Sequence, residues 1–430
     1  MNKIEFTSDL LRERYCKSVH RSGLTIYHFP KKLTGIYALF ATGLGSVDTA
    51  FSVNGQEIVT VPDGIAHFLE HKLFENEDGS DSFARFSSLG ADANAYTSYN
   101  KTAYLFSCTE HFKESLEELL SFVTHPHFTD KTVQKEIGII SEEIRMTEDN
   151  PWDRGFQLLL EALYHHHPVR NSICGTQKSI RKITPKALYD CYRAFYNPSQ
   201  MVLVVCGDVS LEAVTEVADR VLPTCAEPID VVRILPQEPE TVCRRSAETQ
   251  MQVSRPIFFM GFKDVSFAGD VEQRLRRDAA MTLLGEILFS RSGDFYNALF
   301  ESGKITPSFS AGYSIAESFA FYCLSGESDH PEEIFDAVME AVERLEKEGI
   351  SDEDLERCRR VLYADEVRAY DSTEEIANRL LSFALEGGEL FSYAELIEDI
   401  TKEELMSLLC EIFCRERMSS ALVLPLPEQR

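Results

Sequence analysis

Short apolar patterns recur along this chain at one spacing, which restricts the fold to architectures that use a similar unit twice. Residues 183–188 (Ile-Thr-Pro-Lys-Ala-Leu) recur as residues 400–405 (Ile-Thr-Lys-Glu-Glu-Leu), an offset of 217. Met201, which opens an apolar run, has a counterpart at the same offset in Met418. Repetition at a constant offset indicates duplicated structural units, so we predict two related halves.

A stretch rich in proline separates these halves. The chain has 430 residues, which is too long for one ordinary hydrophobic core. Four of its 16 prolines lie between positions 223 and 239, a pattern that favours an extended linker. We therefore predict an N-terminal domain at 1–222, a linker at 223–245 and a C-terminal domain at 246–430.

Composition limits the possible partners. A formal net charge of −27 disfavours nucleic acid and anionic membrane surfaces. No apolar run is long enough to span a bilayer, and the first residues do not resemble a secretion signal. The eleven cysteines form no Cys-x-x-Cys pair, which predicts reduced thiols rather than disulfides or a thiolate zinc site. We expect a cytoplasmic protein that binds peptides or unfolded polypeptides.

The segment His67-Phe-Leu-Glu70-His71 carries the strongest chemical signal. Residues i and i+4 share one face of a helix, so the two imidazoles can converge on one metal ion. Glu70 could then hold or deprotonate a metal-bound water, as in the inverted zinc-helix motif of peptide hydrolysis. Pro62 and a possible N-cap at Asp63 predict a helix over 63–74. The alternative is a helix with two ordinary polar histidines.

A catalytic zinc usually takes three protein ligands, so a third donor is needed. A helix predicted over 130–146 has an apolar stripe, and Glu136 and Glu143 lie seven residues apart at its edge, whereas Glu142 points away. A carboxylate held against an apolar face needs compensation by a cation or by hydrogen bonds. Glu143 is therefore the better third ligand and Glu136 its companion. From this helix alone, both could equally be partly exposed surface charges.

Strands are predicted at 23–28, 35–42 and 94–107, and a further helix at 110–123. Strands and helices without strict alternation favour α+β halves. In the second half, Leu288-Phe289 matches Leu73-Phe74, which sets Thr282, Gly285 and Glu286 where His67, Glu70 and His71 stand. The C-terminal domain is therefore predicted to lack the metal ligands. The tract at residues 165–167, three histidines, is interpreted as a solvated helix end.

Taken together, these motifs resemble the insulinase/pitrilysin family of metallopeptidases, in its bacterial processing-protease-like branch. Glu143 follows His71 by 72 residues. The flanking matches are Gly64-Ile65-Ala66, Leu73-Phe74, Asn94-Ala95-Tyr96-Thr97, Asp149-Asn150-Pro151 and Gly207-Asp208-Val209.

The resemblance implies two homologous mixed α/β halves, each a sandwich of helices on an antiparallel-rich sheet, joined as a clamshell. It also implies one Zn²⁺ per chain, held by His67, His71 and Glu143, with Glu70 as general base. Glu136 would be an auxiliary acidic residue near the metal. Asn94 and Ala95 would line the edge strand on which a substrate peptide is laid.

One departure from the family pattern concerns an Arg and a Tyr that active members contribute from the second half. Phe300 stands where the Arg is expected and Pro307 where the Tyr is expected, with Tyr313 a nearby substitute. Loss of an oxyanion donor typically costs about 10²–10³ in rate. Either the chain works weakly by itself, or another subunit completes its site. We favour the second and expect a homologous partner subunit that supplies the pair, or a homodimer.

Two functions remain open on the sequence. The first is a zinc endopeptidase acting on peptides or on flexible segments of a precursor. The alternative is a non-catalytic zinc-binding scaffold subunit of a hetero-oligomeric processing complex. The intact Glu70 favours the first, because a purely structural zinc site needs no carboxylate base.

Overall fold

The computed structural model describes residues 3–77, 79–223, 225 and 227–427; the other positions, two of them in the predicted linker, lie outside it. Its internal contacts divide the chain into two compact units. The first unit comprises Met1–Ile144, Ser172–Leu235 and Val367–Phe391. The second unit comprises Arg145–Asn171, Pro236–Glu366 and Ser392–Arg430.

The first unit is built on a seven-stranded sheet of order β1-β2-β3-β9-β4-β8-β7, in which only the β3–β9 pair is parallel. With elements numbered along the whole chain, its strands are β1 (Lys3–Ser8), β2 (Glu13–Val19), β3 (Thr25–Pro30), β4 (Ile36–Thr42), β7 (Asp92–Thr97), β8 (Thr102–Cys108) and β9 (Met201–Gly207). A small second sheet has the order β10-β5-β6 and consists of β5 (Ala50–Val53), β6 (Val59–Thr60) and β10 (Val231–Arg233).

Helices cover both faces of the large sheet. The helices that belong wholly or mainly to the first unit are α1 (Ile65–Leu73), α2 (Ser82–Ser88), α3 (Phe112–Thr124), α4 (Asp130–Asp149), α6 (Gln177–Ile180), α7 (Pro185–Phe195), α8 (Leu211–Val221) and α13 (Thr373–Glu386). Apolar residues of β3, β4 and β9 alternate between two cores, as expected for a sheet packed on both faces. One core lies under α1, α3 and α7, and the other lies under α13.

The second unit has a five-stranded sheet of order β11-β15-β12-β14-β13. Its strands are β11 (Ser246–Met251), β12 (Ile257–Asp264), β13 (Ser310–Ile315), β14 (Ala320–Glu327) and β15 (Met418–Pro425). Its helices are α5 (Pro151–Leu163), α9 (Val271–Phe289), α10 (Asp294–Glu301), α11 (Pro331–Glu348), α12 (Asp352–Ala369), α14 (Ser392–Asp399) and α15 (Lys402–Ile412).

The two sheets share one topology over five strands. The order β3-β9-β4-β8-β7 corresponds to β11-β15-β12-β14-β13, and in each the first pair is parallel and the others are antiparallel. The repeated sequence segments open equivalent helices, because Thr184 caps α7 and Thr401 caps α15 in the same way. Met201 and Met418 open β9 and β15, which are the second strands of the two parallel pairs. These equivalences support the proposed duplication.

The fold-class prediction of mixed α/β halves with antiparallel-rich sheets is confirmed. Two local predictions were wrong. The strand predicted over 94–107 is a hairpin of β7 and β8, which turns at 98–101. The N-cap predicted at Asp63 is Gly64, whose φ of 88° lies in the left-handed region that glycine adopts without strain.

The units differ from the predicted contiguous domains in two segments. The chain does pass from one unit to the other inside the predicted linker, between Leu235 and Pro236. However, residues 145–171 belong to the second unit and residues 367–391 to the first. Among the described helices, none combines the length and apolar character that a membrane span requires.

Candidate metal centre

Helix α1 places the two histidines and Glu70 inside the first unit. Its apolar residues face several directions, and eight of its nine residues are buried, as expected for a helix enclosed by its surroundings. His67 is 7% exposed and Glu70 8%, while the side chain of His71 keeps 26% of its surface. One edge of the motif therefore opens to solvent.

Helix α4 brings a carboxylate to both imidazoles. Glu143 Oε1 lies 3.2 Å from His67 Nε2, and Glu143 Oε2 lies 3.4 Å from His71 Nε2. Glu136, two turns earlier on α4, lies behind His71, with Oε1 3.2 Å from Nδ1. The predicted exposure also holds, because Glu136 is buried, Glu143 half-buried and Glu142 exposed.

The electrostatics of this cluster follow from burial and proximity. Burial by itself lowers the pKa of His67, but hydrogen bonds with Cys174 and Glu143 outweigh it and raise that pKa to about 10. The hydrogen bond from His67 lowers the pKa of Glu143. Burial raises the pKa of Glu70, although the charge of His67 and a hydrogen bond from Thr97 oppose the shift.

The edge strand β7 lies beside the motif. Its Thr97 Oγ1 donates a hydrogen bond of 2.5 Å to Glu70 Oε2, which fixes the orientation of that carboxylate. Asn94 and Ala95, also on β7, line an open cleft of about 460 Å³ together with Glu70, His71 and Glu136. The structure therefore brings all the predicted site residues to one region of the first unit.

Lys72 is a buried cation beneath the motif that the sequence interpretation missed. Its side chain is fully buried, donates a hydrogen bond to Glu75, and lies 3.8 Å from Glu136 Oε2. The sequence did contain a signal for this buried cation: Lys72 follows His71 on a helix that has apolar residues on several sides. Its ammonium compensates the buried carboxylate of Glu136.

Cys174 is the second residue that the sequence did not indicate. It lies on the segment before α6, and its Sγ is 3.9 Å from His67 Nε2. The donor atoms of His67, Glu143 and Cys174 all lie within 4.8 Å of one another. No spacing in the sequence relates this cysteine to the histidines, because it reaches them only through the tertiary fold.

The donor set fits a zinc ion. The Nε2 atoms of His67 and His71 face the two oxygens of one carboxylate, and two imidazoles with one carboxylate are a frequent ligand set of catalytic zinc. Glu136 accepts from the opposite nitrogen of His71, the arrangement that fixes the tautomer of a metal-bound histidine. A cation would also compensate the acidic groups gathered here.

The equivalent region of the second unit is differently built. Thr282, Gly285 and Glu286 line a cleft of about 420 Å³ beside β13. A Cβ atom on Gly285 would lie 2.2 Å from Tyr322 Oη, so the tyrosine occupies the space that a larger residue would need. This half offers the carboxylate of Glu286 but no histidine at these positions.

The residues at the expected Arg and Tyr positions have ordinary structural contacts. Phe300 is 44% exposed on α10 and stacks on Tyr296. The carbonyl oxygen of Pro307 accepts a hydrogen bond from Arg291. Tyr313, the possible substitute, donates its hydroxyl to Asp264 within the second unit.

An inverted zinc-helix motif on an α+β unit, with a glutamate from a second helix beside both imidazoles, is the arrangement of a candidate metal site of the metallopeptidase type. Comparison with known proteins agrees. Residues 61–177 match the family model described as insulinase (peptidase family M16), and residues 182–362 match the model described as peptidase M16 inactive domain.

Individual relatives extend the match over nearly the whole chain. A Bacillus subtilis (strain 168) protein described as "Uncharacterized zinc protease YmfH" is 39% identical over 409 residues, which are 94% of this chain and 95% of the relative. The crystal structure of an M16-like peptidase from Alicyclobacillus acidocaldarius superposes with a TM-score of 0.91 at 34% identity, covering 95% of this chain and 98% of that one.

A more distant relative is named as a subunit. It is the "Probable mitochondrial-processing peptidase subunit beta" of Arabidopsis thaliana, 22% identical over 360 residues, which are 79% of this chain and 67% of the relative. These matches confirm the predicted resemblance. The chain belongs to the insulinase (peptidase M16) family.

Proposed function

We propose that the protein is a zinc-dependent endopeptidase that hydrolyses peptides or flexible segments of a precursor. His67, His71 and Glu143 hold one zinc ion, and Glu70 is the general base. The observation that carries the proposal is the position of Glu70. Its carboxylate is buried beside both imidazoles and oriented by Thr97, although it is not needed as a structural ligand.

Each residue then has a distinct task. A bound zinc ion lowers the pKa of its water to about 7 and polarises the scissile carbonyl. Glu70 would take a proton from the attacking water and pass it to the leaving amine. Thr97 orients the Glu70 carboxylate, and Glu136 holds the ring of His71.

The edge strand supplies the substrate site in this proposal. β7 is the last strand of its sheet and pairs with β8 on one side. An extended peptide can add to such an edge through main-chain hydrogen bonds, which tolerate varied side chains. Asn94 and Ala95 line the cleft at this edge, so they would contact the substrate next to Glu70.

A partner subunit completes the proposal. Phe300 and Pro307 offer no charged or hydroxyl group for a developing oxyanion, and the hydroxyl of Tyr313 donates to Asp264. One relative is named as a subunit of a processing peptidase. We therefore propose that a homologous subunit, or a second copy of this chain, supplies the missing Arg/Tyr pair. A purified monomer as active as the natively isolated protein would contradict this part.

Phe300 and Pro307, which stand at the expected Arg and Tyr positions, also support the second candidate function, a non-catalytic zinc-binding scaffold subunit. The match of residues 182–362 to a model described as an inactive domain is compatible with either function. Only the chemistry of Glu70 separates the two, because a scaffold that binds zinc does not need that carboxylate.

The test compares the wild type with Glu70→Gln, using Glu142→Gln as a control because Glu142 is an exposed carboxylate on α4. Zinc content is measured by elemental analysis and hydrolysis with a quenched fluorescent peptide, at native purity and with any co-purified subunit retained. We expect one zinc per chain in all three proteins. Hydrolysis should fall about 10²- to 10⁴-fold in Glu70→Gln alone. Equal hydrolysis by wild type and Glu70→Gln would refute the endopeptidase proposal.

A further inference from the structure

Cys174 is held against the metal centre by the backbone. A Cβ atom on Gly64 would lie 2.5 Å from the carbonyl oxygen of Cys174, and one on Gly175 would lie 2.5 Å from that of Asp63. Both glycines have positive φ, 88° and 74°. The segment that carries the thiol therefore packs backbone to backbone on the start of α1, and Cys174 has a fixed place relative to His67.

The thiol points to the imidazole nitrogen that faces Glu143. Sγ is 3.9 Å from His67 Nε2, and the same nitrogen is 3.2 Å from Glu143 Oε1. Within the described residues, the donor atoms of His67, Glu143 and Cys174 lie within 4.8 Å of one another, a group that does not include His71. Thiolate sulfur is a strong zinc ligand, found with imidazole in many tetrahedral sites. A sulfur at this place can therefore reach an ion held by His67 and Glu143.

We propose that Cys174 is a reversible fourth ligand of the metal ion held by His67, His71 and Glu143, an inference that rests on the proposed zinc site. On binding, the S–H bond breaks and a sulfur–metal bond forms, the proton goes to solvent, and the water on the fourth position is released. The sulfur-bound form is latent, because a catalytic zinc needs that position for water. Return of a proton and of water restores the active form.

Cobalt spectroscopy tests this without measuring activity. Co²⁺ is added to the full-length, metal-depleted wild type, to Cys174→Ser and to Cys243→Ser; Cys243 is a half-buried cysteine of the second unit. We expect a thiolate-to-cobalt charge-transfer absorption in the near ultraviolet for the wild type and Cys243→Ser. This absorption should be lost in Cys174→Ser, while the visible cobalt bands remain.

Alkylation supplies a measurement on the wild type that needs no variant. Iodoacetamide labelling is followed residue by residue by mass spectrometry, with and without zinc. Because a metal-bound thiolate is shielded from alkylation, zinc should slow labelling of Cys174 by roughly tenfold or more and leave Cys243 unchanged. Circular dichroism checks that Cys174→Ser keeps the fold.

The outcomes separate this inference from the proposed function. Visible cobalt bands without charge transfer, together with labelling of Cys174 that zinc does not slow, would overturn the fourth-ligand proposal and leave the three-ligand zinc site standing. Failure of the wild type to bind either metal would overturn both. Charge transfer that persists in Cys174→Ser would assign the sulfur to another cysteine and also refute the inference.

Discussion

Glu136 and Lys72 are two buried charges of opposite sign that lie beneath the metal centre. Lys72 Nζ is 3.8 Å from Glu136 Oε2, while Glu136 Oε1 is 3.2 Å from His71 Nδ1. The glutamate therefore connects a buried cation to a proposed metal ligand. Its ionised form is stabilised from one side and orients an imidazole on the other.

Removal of the Glu136 charge should weaken metal binding without abolishing it. Glu136→Gln can still contact His71, but it no longer favours the tautomer with the proton on Nδ1. We expect the affinity for zinc to fall about 10- to 100-fold, measured by competition with a chelator. Glu142→Gln, on the exposed side of α4, should bind zinc like the wild type. An unchanged affinity in Glu136→Gln would show that the negative charge of Glu136 has no role in metal binding.

A second buried ion pair lies in the second unit, away from the proposed chemistry. Glu238 accepts hydrogen bonds from the backbone N–H groups of the tract 165–167 and from Lys263, whose side chain is 2% exposed. Burial alone would raise the pKa of Glu238, but these bonds lower it to about 2. The solvated helix end predicted at this tract was wrong for His167, which is buried with its pKa lowered to about 4 by that burial.

Acid should destabilise the protein partly through Glu238. Its pKa is about 4.5 when unperturbed and about 2 in the folded state. The ionised carboxylate therefore contributes stability that is fully present above pH 4.5 and is lost as the pH falls towards 2. Glu238→Gln should lose about 3–5 kcal/mol at neutral pH, because Lys263 remains buried without its carboxylate partner and keeps only the carbonyl oxygens of Pro239 and Thr241 as acceptors. Its free energy of unfolding, from urea titrations at several pH values, should depend less on pH in that window. Parallel curves for wild type and variant would contradict the assignment.

At the residue scale, helical periodicity predicted His67, His71 and Glu143 because all three are related by positions on helices. Thr97, Lys72 and Cys174 have no such relation. Their contacts with Glu70, Glu136 and His67 depend on how β7, α4 and the segment before α6 pack around α1. Packing between distant elements is not encoded in local spacing, so the contacts of Thr97 and Cys174 could be found only from the structure, whereas the position of Lys72 on α1 was a partial signal.

The element that positions the residues of the candidate metal centre is the start of α1. Gly64 caps the helix with a φ of 88° and lies against the backbone of Cys174 and Gly175. The Gly-Ile-Ala sequence before the motif was visible in the chain, but Asp63 was the residue predicted to cap it. Side-chain caps follow recognisable sequence rules. The cap at Gly64 is instead required by the close approach of another backbone segment, and no local sequence pattern indicates such a cap.

Gly64→Ala should therefore be more harmful than an ordinary substitution at a glycine with positive φ. Gly90→Ala is the matched control, because Gly90 has a φ of 70° and no atom lies within 4 Å of its added Cβ. The control should lose about 1 kcal/mol from left-handed strain alone. Gly64→Ala adds a backbone clash and should lose at least about 3 kcal/mol, measured by thermal and urea unfolding. Equal losses would show that the segment with Cys174 moves freely away from α1.

Elements of strong periodicity were predicted within a few residues, as for α3, α4 and β4. The hairpin β7–β8 was merged into one strand because its turn, Ser98-Tyr99-Asn100-Lys101, contains neither glycine nor proline. The backbone at Gly45 packs closely against this turn, since a Cβ on Gly45 would lie 2.2 Å from the carbonyl oxygen of Tyr99. This contact stabilises the turn. Tertiary contact thus replaces the local turn signal.

For the whole molecule, the main surprise is the exchange of two helical segments between the halves of the sequence. Helix α5, from the first half, packs on β12 and β15 of the second unit, where a Cβ on Gly155 would meet the ring of Phe259. Helix α13, from the second half, packs on β4 and β9 of the first unit. The amphipathic pattern of each helix predicts that one face is buried, but not which sheet buries it. Contiguous domain boundaries were therefore the natural prediction and differ from the structural units.

This exchange predicts that neither half of the sequence folds by itself. A fragment of residues 1–235 lacks α13, whose Ile376, Leu380 and Leu381 are almost fully buried in the first unit. At about 1.5–3 kcal/mol for each buried side chain, these three contribute roughly 5–9 kcal/mol, comparable with the ~5–15 kcal/mol that stabilises a typical domain. The fragment should therefore lack a cooperative unfolding transition. The fragment 236–430 lacks α5 and should behave in the same way.

Mixing the fragments 1–235 and 236–430 should restore a folded one-to-one complex, because together they contain every segment of both units. Size-exclusion chromatography and near-ultraviolet circular dichroism measure the association and the recovery of fixed aromatic packing. The control is the intact chain cut once by a protease between Leu235 and Pro236. It should stay folded, since the cut removes no buried side chain. Cooperative unfolding of 1–235 alone would mean that α13 is dispensable to the first unit, and that the contiguous domain predicted from the sequence is the true folding unit.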